Sequence, residues 1–176
     1  MEIVMRCCIR LLPVLLALGI VPLTVEANEP GLTPAEVVRR YSRTVACQIY
    51  EATPGFRQYV TVTLRPEVPD GIVGVWLVGW TGDLGCLGGN ATQLVQMTLV
   101  EQRGFPRRVV SPVVMNHEPL PGLVMNGLRD MQFRNGVLTV RGTTGRAAFG
   151  TLKEITLRYR YRDGWEHRDR RFELLP

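Results

Sequence analysis

Hydrophobic positions are densest between residues 72 and 80, where apolar side chains occupy both alternating faces of the chain. One face would carry Val73, Val75 and Leu77, and the other Ile72, Trp76, Val78 and Trp80. A half-exposed strand alternates apolar with polar residues, so this run predicts an interior strand that is covered on both sides. Glycines within a strand are typical of places where a neighbouring chain, helix or ring comes close.

A helix is predicted near the start of the globular part, from Pro34 to about Ala46. Thr33 and Glu36 have the spacing of a capping box, and Pro34 takes the first helical position. Apolar residues recur at helical spacing and predict a buried stripe made of Val37, Val38, Tyr41 and Val45. The arginines of the segment fall mostly on the opposite, solvent-facing side.

Short alternating runs continue from the helix to the end of the chain. They predict strands near residues 48–51, 59–64, 92–101, 109–115, 128–133, 137–141, 152–161 and 165–174. The pairs Asn126-Gly127, Asn135-Gly136 and Asp163-Gly164 signal tight turns. Such connections are too short for parallel crossovers, which need about a dozen residues or more.

The predicted fold class is therefore α+β. One N-terminal helix packs on a mostly antiparallel meandering sheet or half-barrel. A β-sandwich with an appended helix is the alternative.

The segment 1–27 has the pattern of a secretory signal peptide. Arg6 and Arg10 give a positive start to an apolar core that runs from Leu11 to Leu23. That core is shorter than the roughly 20 residues of a spanning helix. Small residues Val25 and Ala27 precede a cleavage point at Asn28. This pattern predicts a soluble exported protein with residues 28–176 as a single domain. Our interpretation is a bacterial host, with the protein in the periplasm or the extracellular space.

Two cysteines, Cys47 and Cys86, remain after the leader. In an exported protein two cysteines most often pair, and closing this loop would stabilise the fold by about 4 kcal/mol. The alternative makes Cys86 the nucleophile of a cysteine-dependent hydrolase or transferase, with His117 or His167 as its base. Pairing is the favoured interpretation, because a free thiolate beside Cys47 would have to escape oxidation.

The chain is basic, with a formal net charge of +5 at pH 7, twenty arginines and a single lysine. An exported basic protein favours an acidic partner protein or an anionic envelope component, and not nucleic acid. His117 and His167 have no third ligand at a spacing typical of metal sites. No motif for a cofactor is present, so none is predicted.

The C-terminal hairpin is the most specific candidate for a binding site. Alternation places Arg158, Arg160 and Arg162 on one side of a strand and Tyr159 and Tyr161 on the other, with Trp165 after the turn. Arginine beside aromatic rings is a mixture enriched at binding sites. The competing interpretation is an edge hairpin whose charges discourage aggregation.

A glycine-rich loop after the apolar run is a second, weaker candidate site, with Asp83 and Asn90 as its polar residues. It lacks the lysine of a phosphate-binding loop and the closely spaced oxygen ligands of a calcium loop. The simpler interpretation is a turn-rich connection around a disulfide, in which glycines supply positive φ angles.

The leading functional hypothesis is a non-catalytic binding, accessory or inhibitor and immunity-type protein. It is based on the leader, the paired cysteines and the absence of a catalytic motif such as a serine nucleophile elbow. The two alternatives are the Cys86 enzyme and an envelope-surface protein that binds acidic glycan or lipid through its arginines.

Overall fold

The structure, a computed structural model, describes residues 31–50, 54–67, 74–86, 94–102, 108–110, 120–145, 151–164 and 171–176. Several residues of interest lie outside these ranges: the predicted signal peptide at 1–27, Asn90, His117, Trp165 and His167. The described part contains one helix and nine strands. No helix within it combines the length and apolar character needed to cross a bilayer.

Helix α1 spans Pro34–Val45 and begins with the predicted capping box. The Thr33 hydroxyl accepts a hydrogen bond from the Glu36 N–H at 3.3 Å, and the Glu36 carboxylate accepts one from the Thr33 N–H at 2.8 Å. Two N–H groups that have no partner inside the helix are thereby satisfied. Ser42 is also buried on the inner stripe, 2.9 Å from the hydroxyl of Tyr59.

The first sheet is built around a central strand and is antiparallel throughout. Its strands are β1 (Gln48–Ile49), β2 (Tyr59–Arg65), β3 (Val75–Asp83), β4 (Leu94–Gln102) and β5 (Arg108–Val110). Strand β3 pairs with β4 along one edge and with both β1 and β2 along the other, and β5 extends the sheet beyond β4.

The second sheet is an antiparallel meander in chain order. Its strands are β6 (Gly127–Arg134), β7 (Val137–Thr144), β8 (Lys153–Arg162) and β9 (Arg171–Leu174). The predicted turn at Asn135-Gly136 is confirmed, with φ of 51° and 74°, as a two-residue hairpin of this kind requires. The predicted turn at Asn126-Gly127 is wrong: Gly127 begins β6, and the Asn126 N–H donates to the Thr143 carbonyl.

The two sheets pack against each other and share one hydrophobic cluster. Strands β2, β3 and β4 contribute one side of it, and Leu128, Leu138, Val140, Tyr159 and Phe172 belong to the other. Backbone hydrogen bonds also join each sheet to a segment that flanks the other. The Val95 N–H of β4 donates to the Met125 carbonyl just before β6, and the Arg57 N–H just before β2 donates to the Leu128 carbonyl of β6.

The predicted combination of one helix with antiparallel strands is confirmed. The strands divide between two sheets, which is closer to the predicted alternative, a sandwich with a helix, than to one continuous sheet.

Strand β3 is covered on both faces, as its uninterrupted apolar pattern predicts. Val75 and Leu77 face the second sheet. Trp76, Val78 and Trp80 face α1 and form a second hydrophobic cluster with Val37 and Val38. The molecule therefore has three layers, with the helix on one side of the first sheet and the second sheet on the other.

The far end of β3 differs from the prediction, which ended the strand at Trp80 and placed Gly82 and Asp83 in a loop. The strand continues to Asp83, because Gly82 and Asp83 pair with Ile49 and Gln48 of β1. Gly82 has no side chain to interfere with the ring of Trp80, which would lie 2.5 Å from a Cβ at that position. The glycine is therefore required for a close approach within the sheet.

Candidate binding site on the second sheet

Strand β8 separates its arginines from its tyrosines. Arg158, Arg160 and Arg162 are exposed, whereas Tyr159 and Tyr161 are buried. This division follows from the period of two along a strand, since the inner side packs against the first sheet. The structure therefore shows the predicted row of outward arginines, with the two tyrosines beneath it as packing side chains.

Neighbouring strands enlarge this row into a basic surface, because directly paired residues in an antiparallel sheet lie on the same face. Val137 of β7 lies between Arg160 and Arg134, and Arg141 lies opposite Thr156. We call the outer surface of the second sheet the arginine face. Its six exposed arginines are Arg134, Arg141, Arg158, Arg160, Arg162 and Arg171.

Three carboxylates are interleaved with these arginines, which leaves three more positive than negative groups. They belong to Asp130, Glu154 and Glu173. Uncharged positions separate the charges, with Val137 and Thr139 at the middle of the face. The surface is therefore predominantly basic but patterned.

Two of the three carboxylates already form an ion pair with an arginine. Arg162 Nε lies 2.7 Å from Glu173, and Arg129 at the β6 bulge lies 2.7 Å from Glu154. Arg129 also stacks on the ring of Phe56, 4.9 Å from its centroid. Within the described ranges, no such ion pair is made by the other five arginines of the face, Arg134, Arg141, Arg158, Arg160 and Arg171. These five guanidinium groups are therefore available to a ligand.

The sheet beneath the arginine face is tied to the first sheet at one corner. Arg65 of β2 donates from Nε to the Asp163 carboxylate at 2.7 Å, and the Tyr161 hydroxyl donates to the same carboxylate at 3.0 Å. The Tyr161 ring also packs between Phe133 and Phe172, with centroids 5.8 and 5.0 Å away. These contacts fix the end of β8 and so hold the arginine row in place.

Tyr159 differs from Tyr161 in its polar contacts. Its side chain is fully buried, and its hydroxyl has no hydrogen-bond partner among the described residues. Burial in apolar surroundings raises the pKa of Tyr159 from 10.0 to about 12, because the ionised form is disfavoured there.

We expect Tyr159→Phe to leave the free energy of unfolding unchanged or to raise it by up to about 1 kcal/mol, since it removes an unsatisfied buried hydroxyl. The matched variant Tyr161→Phe breaks the bond to Asp163 and should lower it by about 1 kcal/mol. Because the pKa of Tyr159 is raised in the folded state, ionisation of this residue has no effect on the free energy of unfolding well below pH 10. Ionisation then lowers that free energy as the pH rises from 10 towards 12. Urea titrations at pH 7, 10 and 11 check both results. A larger loss in Tyr159→Phe than in Tyr161→Phe would contradict them.

The end of β3 and the disulfide form a separate, compact structure. Cys47 and Cys86 are joined in a disulfide with Cα atoms 5.3 Å apart, which confirms the predicted pairing. Asp83 is buried, its side-chain oxygen accepts the Gly85 N–H at 2.9 Å, and its carbonyl accepts the Cys47 N–H at 2.9 Å. Asp83 therefore shapes the turn that presents Cys86, while Asn90, its predicted companion, lies outside the described residues.

The chemistry of the Cys86 hypothesis requires a free thiolate, and the disulfide consumes that sulfur. Both histidines that could serve as its base lie outside the described residues. Over the ranges that are described, no group of three or more His, Cys, Asp or Glu side chains is placed to hold a metal ion.

The arginine face is thus the best-supported candidate site, and sequence reasoning found only part of it. Arg134 and Arg141 were missed because their inclusion depends on the strand register between β6, β7 and β8. The alternation within each strand indicates which side of the strand these two arginines occupy. It does not indicate which strands are neighbours in the sheet, so it could not join them to the row on β8. Comparison of the chain with protein-family models, curated proteins and solved structures finds no match in any of the three.

Proposed function

We propose that this chain is an exported, non-catalytic binding protein that docks an acidic partner protein on the arginine face. The observation that carries the proposal is the group of five exposed arginines on this face without carboxylate partners in the described part of the chain, at positions 134, 141, 158, 160 and 171. Guanidinium groups pair with carboxylates in a directional, two-pronged geometry, which suits recognition of a structured acidic surface.

The pattern of charge favours a protein over a glycan or a lipid surface. Asp130, Glu154 and Glu173 lie among the arginines and would repel a continuous anionic surface. A folded partner can place its own charges to match both signs, and such complementarity also rejects wrong partners. Val137 and Thr139 offer a less polar centre of the kind found within protein interfaces.

Two features support export. The segment 1–27 has the pattern of a signal peptide. The Cys47–Cys86 disulfide is the kind of bond that forms and persists in an oxidising compartment. Both features favour a partner in the periplasm or the extracellular space.

Photo-crosslinking in the source cells tests the proposal. A photoreactive amino acid replaces Thr139, which is half-buried at the centre of the arginine face, or Arg39, which is exposed on α1 in the opposite layer. We expect an acidic polypeptide to be crosslinked from position 139 and not from position 39. Crosslinks to glycan or lipid alone, or the same products from both positions, would overturn the proposal.

Charge removal should act mainly on the association rate. We expect Arg158→Ser with Arg160→Ser to slow association with the crosslinked partner by roughly threefold to tenfold at low salt and to flatten its salt dependence. The matched control Arg39→Ser with Arg40→Ser removes the same charge from exposed positions on α1. Association rates measured by stopped flow at several salt concentrations distinguish the two. Equal effects of both pairs would show that net charge, and not the arginine face, governs binding.

A further inference from the structure

Strand β8 is longer than the strand that covers its outer edge. It runs over ten residues, Lys153–Arg162, and pairs with β7 from residue 153 to residue 160. On its other edge, β9 pairs only with residues 159 to 162, and the Leu175 N–H adds one bond to the Arg158 carbonyl. Within the described chain, the edge from residue 153 to residue 157 has no strand beside it.

The direction of the backbone groups can be read from two hydrogen bonds. The Tyr161 N–H donates to the Gly136 carbonyl, towards β7, and the Arg158 carbonyl points to the β9 side. Successive residues of a strand point their backbone groups to opposite sides, so the even-numbered residues face the edge. The N–H and C=O groups of Glu154 and Thr156 therefore face outward and have no backbone partner in the described chain.

We propose that this open edge of β8 accepts an extended acidic segment of the partner as an additional strand. The inference rests on the proposed function and deepens it, since it names the form in which the acidic partner is recognised. Main-chain hydrogen bonds to Glu154 and Thr156 would supply affinity, and the side chains on either side of the edge would supply specificity.

On the outer side, the edge runs along the arginine face. A residue placed opposite Thr156 would have Arg158 and Glu154 as its diagonal neighbours, each roughly 7–8 Å away and within reach of long side chains. The Glu154 carboxylate is already paired with Arg129 at 2.7 Å. Arg158, by contrast, is one of the five arginines of this face without a carboxylate partner in the described residues. An acidic residue at that position of the added strand is therefore favoured by charge.

On the inner side, the same edge is apolar. Ile155 and Leu157 are only partly buried against the shared core, and Leu174 of β9, opposite Tyr159, is 47% exposed. An added strand would place alternate side chains next to this apolar group. The segment that fits the edge therefore alternates acidic with apolar residues.

The probe is a capped eight-residue peptide that alternates glutamate and valine. We expect its binding to slow hydrogen exchange at the amides of Glu154 and Thr156 by at least about tenfold. Thr156→Pro should weaken binding roughly fivefold to tenfold, because proline removes an edge-facing donor. Thr156→Pro leaves the hydrogen bonds between β8 and β7 intact, since the Thr156 N–H points away from β7. Thr156→Ala keeps the donor and is the matched control, with binding expected to change by less than about twofold.

A second peptide, in which alternate amides are methylated, keeps the charge but loses the main-chain donors, so we expect it not to bind. This test uses the unaltered protein and therefore remains valid if Thr156→Pro fails to fold. Binding without protection of the two amides would overturn the added strand and leave the proposed function standing. Absence of peptide binding would also overturn it, as would protection of both amides in the free protein, which would mean that the chain covers its own edge. If the peptide protects both amides but Arg158→Ser with Arg160→Ser does not change association with the partner, the proposed function would instead be overturned.

Discussion

Reduction of the Cys47–Cys86 disulfide should lower the free energy of unfolding by about 4 kcal/mol. The bond closes a loop across a sequence separation of 39 residues, and the chain-entropy model assigns that amount to a loop of about this length. Domains of this size have a total stability of roughly 5–15 kcal/mol, so the melting temperature should fall by roughly 10 °C. Calorimetry of a chain that begins at Asn28, with and without reductant, measures the effect.

The position of the disulfide also predicts where the effect is felt first. It connects the end of α1 to the end of β3, so reduction should speed hydrogen exchange in the last turn of α1 more than in the second sheet. The variant with both cysteines replaced by serine is the control and should not respond to reductant. Equal melting temperatures for the oxidised and reduced chains would show that this bond does not constrain the unfolded state.

Trp80→Ala should be comparably destabilising, lowering the free energy of unfolding by about 3–5 kcal/mol. The Trp80 side chain lies between the first sheet and the helix and is 1% exposed. Its Nε1–H donates to the Thr98 hydroxyl at 3.0 Å. Alanine would leave a large cavity and also remove the donor to a buried hydroxyl. Urea denaturation at pH 7 gives the value.

Two further variants divide this loss into its parts. Trp80→Phe retains much of the ring and should lose less than Trp80→Ala, while Thr98→Val removes only the hydrogen-bond acceptor and should cost about 1 kcal/mol. If Trp80→Ala lost less than about 1 kcal/mol, the tryptophan would not be packed between the helix and the sheet. If Trp80→Ala does not fold, the difference between Trp80→Phe and Thr98→Val still tests the packing.

Local signals predicted the parts of the fold that depend on neighbouring residues. The capping box at Thr33 and Glu36 predicted the start of α1, because its hydrogen bonds join residues that are close in sequence. The apolar pattern of β3 predicted burial on both faces, since alternate residues of a strand face opposite sides. The same alternation predicted the row of arginines on β8.

Features that depend on distant pairing could not be predicted in this way. The extension of β3 to Asp83 requires β1, which pairs with it although the whole of β2 lies between them in the chain. The division into two sheets has the same origin. Asn126-Gly127 has the local sequence of a hairpin turn, but tertiary contacts place Gly127 in a strand, where the Phe56 ring lies against it.

The candidate site shows the same limit. Arg158 and Arg160 were predicted from one strand, whereas Arg134 and Arg141 join them only through strand register. Arg108 was not singled out by any pattern. Its guanidinium lies 5.1 Å from the centre of the Trp76 ring and donates to the Leu32 carbonyl at 2.9 Å. That arginine is therefore part of the structure around the second hydrophobic cluster and not of the arginine face.

The two sheets also differ in the order in which their contacts can form. Each strand of the second sheet pairs only with its neighbours in sequence, so its native contacts require short loops to close. Strand β3 of the first sheet must instead gather β1, β2 and β4, and α1 must dock on the face that they complete. Closing longer loops carries a larger entropy loss, so we expect the meander to form first and the helix to dock last. The arginine face would thus be formed before the disulfide secures the opposite side of the molecule.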